Sequence, residues 1–191
     1  MEVVTACSIL KGNVRVLAVD DTPFERGKDS KTFLIGLMFR GFILEYAVRE
    51  SVEVDGDDST EALLRMVMDP KVKEEVRLVM THGTTFAGLN VLDMLKFHKE
   101  TGVPLIAVTS KMPTSEIERA IESAGLREKL DLVRKNPPYS PLRTPKGLCY
   151  YSVIGLSSRE AEKVILRYSL ESKVPEQLRM VDIIAKLFQG I

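Results

Sequence analysis

Apolar residues recur along this chain with two periods, and the change from one to the other divides it. Val14 to Val19 is apolar except for Arg15 and runs into two carboxylates, Asp20 and Asp21, so Val14 to Asp20 reads as a strand. After a polar stretch through Lys31, Thr32 to Phe39 reads as a second strand. Gly41 marks a tight connection, and Ile43 to Val54 alternates as a long third strand. Strands joined by such short loops form an antiparallel meander. The period then changes. Asp58 and Glu61 have the spacing of a capping box, and Ala62-Leu63-Leu64 and Met66-Val67 follow at helical spacing. Val76 to Thr81 is a fourth strand, and Asn90 to Thr101 a helix with Val91, Leu92 and Leu95 on one face. Val103 to Thr109 is a fifth strand, nearly all apolar as a buried parallel strand should be.

The second half is mostly helical. Ser115 to Ala124 and Leu126 to Val133 read as short helices separated at Gly125. Four prolines between Arg134 and Gly147 predict an irregular loop there. Leu148 to Ile154 is a sixth strand, and Ser158 to Tyr168 and Pro175 to Phe188 are helices, the last with proline at its first turn. The class is α/β: a mixed five- to six-stranded sheet flanked by helices, in the order expected of a ribonuclease H-like fold. Right-handed crossover then makes strands one and four parallel neighbours, with Asp20 and His82 at the same end of the sheet.

Length changes this picture little: 191 residues suit one domain spanning 1–191, able to bury roughly 70% of its unfolded surface. Lys plus Arg equal Asp plus Glu at 27 each, so no global field draws the chain to nucleic acid or a membrane, although a local basic patch remains open. No run of apolar residues is long enough to span a bilayer, and the stretch from Glu2 to Leu10 makes a poor signal peptide. Cys7 and Cys149, far apart, read as core residues of a cytoplasmic protein. Oligomeric state is not legible.

The candidate chemistry begins with Asp20, since a carboxylate at the end of a buried strand is held rigidly enough to grip a hard cation. Asp20-Asp21-Thr22-Pro23 equally suits a plain turn. Gly83 to Gly88, leading to the helix expected at Asn90, could hold a phosphate on backbone amides, or be an ordinary loop after a strand. Arg134 to Lys146 is basic, contains no acid and carries Tyr139. It could contact phosphates and stack on a base, or be a stiff solvated loop. His98 reads as an exposed helix residue without chemistry.

Four segments carry a resemblance: VLAVDD at 16–21, VMTHGTTFAGLNVLDM at 79–94, TGVPLIAVTSK at 101–111, and IGLSSREAEKVILRYSLESKVPEQLRMVDIIA at 154–185. They resemble endonuclease V and, more closely, an archaeal family of uncharacterised proteins related to it. The last is the most specific, pairing two helices across a short linker with Pro-Glu at the second helix start. The resemblance implies a metal-dependent nuclease whose ion is held by acids after the first, third and fourth strands. Asp20 takes the first position, and Asp57, Asp58 or Glu61 the second. His82 falls where the family has Asp. Lys111 matches a family lysine to within one position and could neutralise a scissile phosphate or be a solvated loop lysine, and Asp182 matches a family acid, read here as capping or salt-bridging.

Two departures qualify the expectation. An imidazole at His82 suits Mn²⁺ better than Mg²⁺, which demands octahedral oxygen. The loop histidine of endonuclease V and its base-separating wedge have no match, which leaves no ground for carrying over recognition of deaminated bases. The expected function is therefore an endonuclease V-like, metal-dependent phosphodiesterase acting on nucleic acid, with Asp20, Asp58, Glu61 and His82 at the metal and Asp20 and Lys111 catalytic. The alternative is a catalytically inactive domain that binds nucleic acid or protein.

Overall fold

A computed structural model describes residues 14–111 and 114–188. The expectations placed on Glu2 to Leu10 and on Cys7 lie outside the described residues. The main sheet has seven strands in the order β3-β2-β1-β4-β7-β9-β8. Strands β1 (Arg15–Asp21), β2 (Lys31–Arg40) and β3 (Ile43–Glu53) form the antiparallel meander. Strands β4 (Val76–His82) and β7 (Leu105–Thr109) run parallel to β1, with β4 between β1 and β7. Beyond β7 the direction reverses: β9 (Gly147–Ile154) is antiparallel to β7, and β8 (Ser140–Thr144) closes that edge. In chain order between β4 and β7 lie β5 (Thr85–Phe86) and β6 (Asn90–Val91), a separate two-stranded ribbon. The ribonuclease H-like architecture and the parallel pairing of strands one and four are as expected.

Alternate residues of β1 explain why that strand is apolar nearly throughout: both of its faces are buried. Val16 and Ala18 join Met80, Ile106 and Val108 under α6 (Ser158–Tyr168) and α7 (Glu176–Ala185), where Val164, Ile165, Leu178 and Val181 complete one core. Leu17 and Val19 face the other way. There they meet Leu63 and Met66 of α1 (Ser59–Met68), and the same core takes in Phe97 of α3 (Met94–Thr101). The short α2 (Pro70–Lys73) follows α1, and α4 (Thr114–Ser123) and α5 (Leu130–Lys135) form a satellite layer around Ile121 and Leu130. Among the described residues no helix is long and apolar enough to cross a membrane.

Three local expectations are corrected. The proline-rich stretch contains a strand, which makes the sheet seven-stranded rather than five- or six-stranded; β8 lies at the sheet edge, where a proline is tolerated. The helix expected at Asn90 begins at Met94, after Asp93 accepts a hydrogen bond from the Lys96 amide. Residues 85–91 instead turn back through Ala87 (φ 44°) and Gly88 (φ 88°), a left-handed pair that no helix accommodates. The Asp58–Glu61 capping box does not form. Asp58 accepts from the Glu53 amide and Asn90 Nδ2, and Glu61 pairs with Lys96. The box does appear one layer away, as Ser157 and Glu160 at the start of α6.

Candidate metal centre

The site is assembled by two strands that the sheet order makes neighbours and one helix packed on them. Asp20 is the penultimate residue of β1, its carboxylate almost wholly buried, and His82 ends β4, the parallel neighbour. Their side chains meet, His82 Nδ1 to Asp20 Oδ2 at 3.1 Å. Helix α7 packs across β1 and brings Asp182, and ligating atoms of Asp20, His82 and Asp182 lie within 4.8 Å of one another. Cis ligands of an octahedral ion with bonds of about 2.1 Å stand about 3.0 Å apart, and trans ligands about 4.2 Å apart. The Asp20 Oδ2–His82 Nδ1 spacing of 3.1 Å is close to the cis value, so these two atoms could share an ion in place of the proton that joins them in the ion-free protein. Two carboxylates and one imidazole fit a first-row divalent ion. The three line a cleft of about 350 Å³ with Asp21, Phe24 and Lys186.

Electrostatics tie these groups to one another. The hydrogen bond to Asp20 raises the His82 pKa above its usual value against the opposing effect of burial, with help from the charges of Asp20, Asp182 and Asp21. In the ion-free protein Nδ1–H donates to Asp20; ligation through Nδ1 would place the ring proton on Nε2. Burial, then the adjacent charge of Asp20, pushes the Asp21 carboxyl up to about 7. Asp21 faces the same cleft but plays a different part, its Oδ2 accepting the Ala87 amide at 2.7 Å. Asp55 matches it from the other side, accepting the Leu89 amide at 2.8 Å while Arg26 grips its two oxygens. Two carboxylates thus clamp the 85–91 ribbon that follows His82, an arrangement with no signature in the local sequence.

Of the candidates read from the sequence, Asp20 and His82 are brought together. Asp58 and Glu61 are not: each is engaged by the partners named above, and Asp57 is ion-paired with the buried Lys129 at 2.8 Å. The acid that joins Asp20 and His82 is Asp182. It makes the expected salt bridge, to Lys186 Nζ at 2.7 Å, and faces Asp20 as well. Its signal was an acid enclosed by the core residues Val181 and Ala185, which places it at a buried boundary. Lys111 is exposed, on a second cleft of about 170 Å³ that shares His82 and includes Thr109 and Tyr139. The loop from Gly83 does not lead into a helix, so the phosphate cradle loses its helix N-terminus. Tyr139 is tied by its hydroxyl to Thr84 Oγ1 at 3.2 Å, and His98 is half-buried with Nδ1 2.9 Å from the Val103 carbonyl. Cys149 is in the core as expected.

With that geometry in place, the relatives are informative. Residues 12–189 match the sequence family described as endonuclease dU. The chain belongs to the endonuclease dU family. A UPF0215 protein of Nanoarchaeum equitans is 31% identical over 177 residues, covering 93% of this chain and 89% of the relative. A crystal structure of an Archaeoglobus fulgidus protein of unknown function is 26% identical, with TM-score 0.75 over 90% of this chain and 96% of that one. Ciona intestinalis endonuclease V, crystallised with DNA containing an inosine, has TM-score 0.55 at 12% identity, covering 93% of this chain and 92% of that one. That likeness shows the shared fold. This endonuclease dU family member therefore has an endonuclease V-like architecture with a mixed Asp/His/Asp cluster at the sheet's strand ends.

Proposed function

We propose that this protein is a metal-dependent phosphodiesterase acting on nucleic acid, with Asp20, His82 and Asp182 as the protein ligands of the ion. The observation that carries it is the convergence of these three side chains at one cleft. A divalent ion bound there would lower the pKa of a water and neutralise charge developing on the phosphate. Asp20 is fixed by burial and by its bond to His82, so its lone pairs are aimed before any ion arrives. His82 biases the set toward Mn²⁺ over Mg²⁺. Lys111 stands across His82 in the neighbouring cleft, in position to contact a phosphate that spans both. The family's description makes deoxyuridine-containing DNA the first substrate to assay, although the missing wedge argues for a different way of exposing a base.

The test is strand cleavage of uracil-containing DNA, unmodified DNA and RNA in Mn²⁺ or Mg²⁺. Mn²⁺-dependent cleavage by the parent chain, lost with Asp20→Asn, supports the proposal. Binding without cleavage in either ion would establish the alternative, a non-catalytic nucleic-acid binder, which the imidazole at a carboxylate position favours.

The basic stretch from Arg134 to Lys146 contributes less than its sequence suggests. Arg134 pairs with Glu118 at 2.9 Å, Lys135 with Asp93 at 2.9 Å and Lys146 with Glu171 at 3.3 Å, all acids from other parts of the chain. Arg143 is exposed on β8. Replacing all four by Ala is expected to flatten the log–log salt dependence of single-strand binding by about 0.7, one phosphate contact rather than four. A loss of about 3 in fluorescence titrations at several salt concentrations would mean that the ion pairs open on binding.

A further inference from the structure

The metal cluster already faces a cation of its own. Lys186 follows α7 by one residue, lines the same cleft as Asp20, Asp21 and His82, and places Nζ 2.7 Å from Asp182 Oδ2. Its ammonium also feels the charge of Asp20. Among the described residues, the other two ligands are not ion-paired with any lysine or arginine: Asp20 meets His82 and its neighbour's amide, and His82 meets Asp20. The carboxylate that completes the ligand set is thus the one held by a tethered positive charge.

Resting on the reading of Asp20, His82 and Asp182 as an ion site, we propose that Lys186 is the site's resident cation, which a divalent ion must displace from Asp182. The side chain suits that exchange. It is 62% exposed, and Asp182 is 35% exposed, so the pair is well solvated and its rupture costs little. A buried arginine clamp would instead lock the acid away. The four-carbon stem lets the ammonium swing into the cleft without moving α7. Lys186 therefore keeps two nearby acids from repelling each other in the ion-free protein and lowers the affinity for any ion that replaces it.

The experiment is calorimetric titration of the metal-free full chain with Mn²⁺. Lys186→Ala should tighten Mn²⁺ binding about two- to fivefold, the order expected when an exposed ion pair no longer has to be broken. Lys186→Arg should keep nearly the parent affinity. A second cycle in Asp182→Asn isolates the contact: Lys186→Ala should then give no further tightening. Unchanged or weaker binding in Lys186→Ala would overturn the inference, as would an equal gain with and without Asp182. In either case the ion site itself would stand. Absence of Mn²⁺ binding in the parent and in Lys186→Ala alike would remove the site and the inference with it. Circular dichroism of each variant checks that the fold is retained.

Discussion

Asp20→Asn is expected to lower metal-dependent cleavage by about three orders of magnitude while leaving the fold intact. The rate effect follows from losing the most rigid charged ligand, since a catalytic ion contributes several kcal/mol to transition-state stabilisation. The fold survives because the Asn oxygen still accepts from the Asp21 amide, at 3.0 Å in the parent, while its Nδ2 can donate to His82 Nδ1 once the ring proton sits on Nε2. The thermal midpoint of the metal-free variant should therefore stay within a few degrees of the parent, or rise as repulsion with Asp21 is removed. The companion change is His82→Asp. A third carboxylate restores an all-oxygen set, so Mg²⁺ affinity should rise relative to Mn²⁺, read by calorimetry with both ions. Cleavage by Asp20→Asn at the parent rate, or no gain for Mg²⁺ in His82→Asp, would count against the ligand assignment.

What the sequence conveyed, and what it withheld, divides along one physical line. Strand-forming runs buried on both faces, such as 14–20 and 103–109, announce themselves by composition, and the handedness of their crossover then brings Asp20 and His82 together. Contacts between distant elements leave no such trace. The third member of the cluster lies on α7, far along the chain from Asp20 and His82, and read from its own helix Asp182 is only half of an i,i+4 ion pair. Asp58 and Glu61 were eligible because the resemblance puts the second acid after the third strand, yet their partners, Asn90 and Lys96, come from another part of the fold. The stretch 134–146 is acid-free in sequence but not in space, where Glu118, Asp93 and Glu171 reach it. The Asp21–Ala87 bond was hidden for the same reason, together with a left-handed alanine that no propensity scale anticipates.

The crowding of acids at this cleft predicts an unusual pH dependence of stability in chelator. Asp21, raised from 3.8 to about 7, binds its proton more tightly folded than unfolded. Its stabilising contribution is complete below pH 3.8 and is lost as pH climbs towards 7. His82, raised above 6.5, contributes stability that is complete below that value and lost as pH rises through its folded pKa. The lowered carboxyls Glu45, Asp93 and Glu176 act oppositely, and only as pH falls below about 4.5. Between about pH 5 and 8 the first two dominate, so the metal-free midpoint should fall with rising pH. The slope is set by about 1.4 kcal/mol per proton per pH unit, or roughly 3 to 5 °C at this size. Excess Mn²⁺ should reverse the trend, because ligation requires deprotonated ligands and strengthens with pH. Asp21→Asn keeps an acceptor for the Ala87 amide while removing the charge, so it should flatten the decline between about pH 5 and 7 and raise the midpoint at about pH 8. Asp21→Ala removes the acceptor too and should lack that gain, with the Ala87 amide losing its protection from hydrogen exchange. A metal-free midpoint that stays level or rises from about pH 5 to 7, followed by calorimetry in EDTA, would show that Asp21 ionises freely beside Asp20.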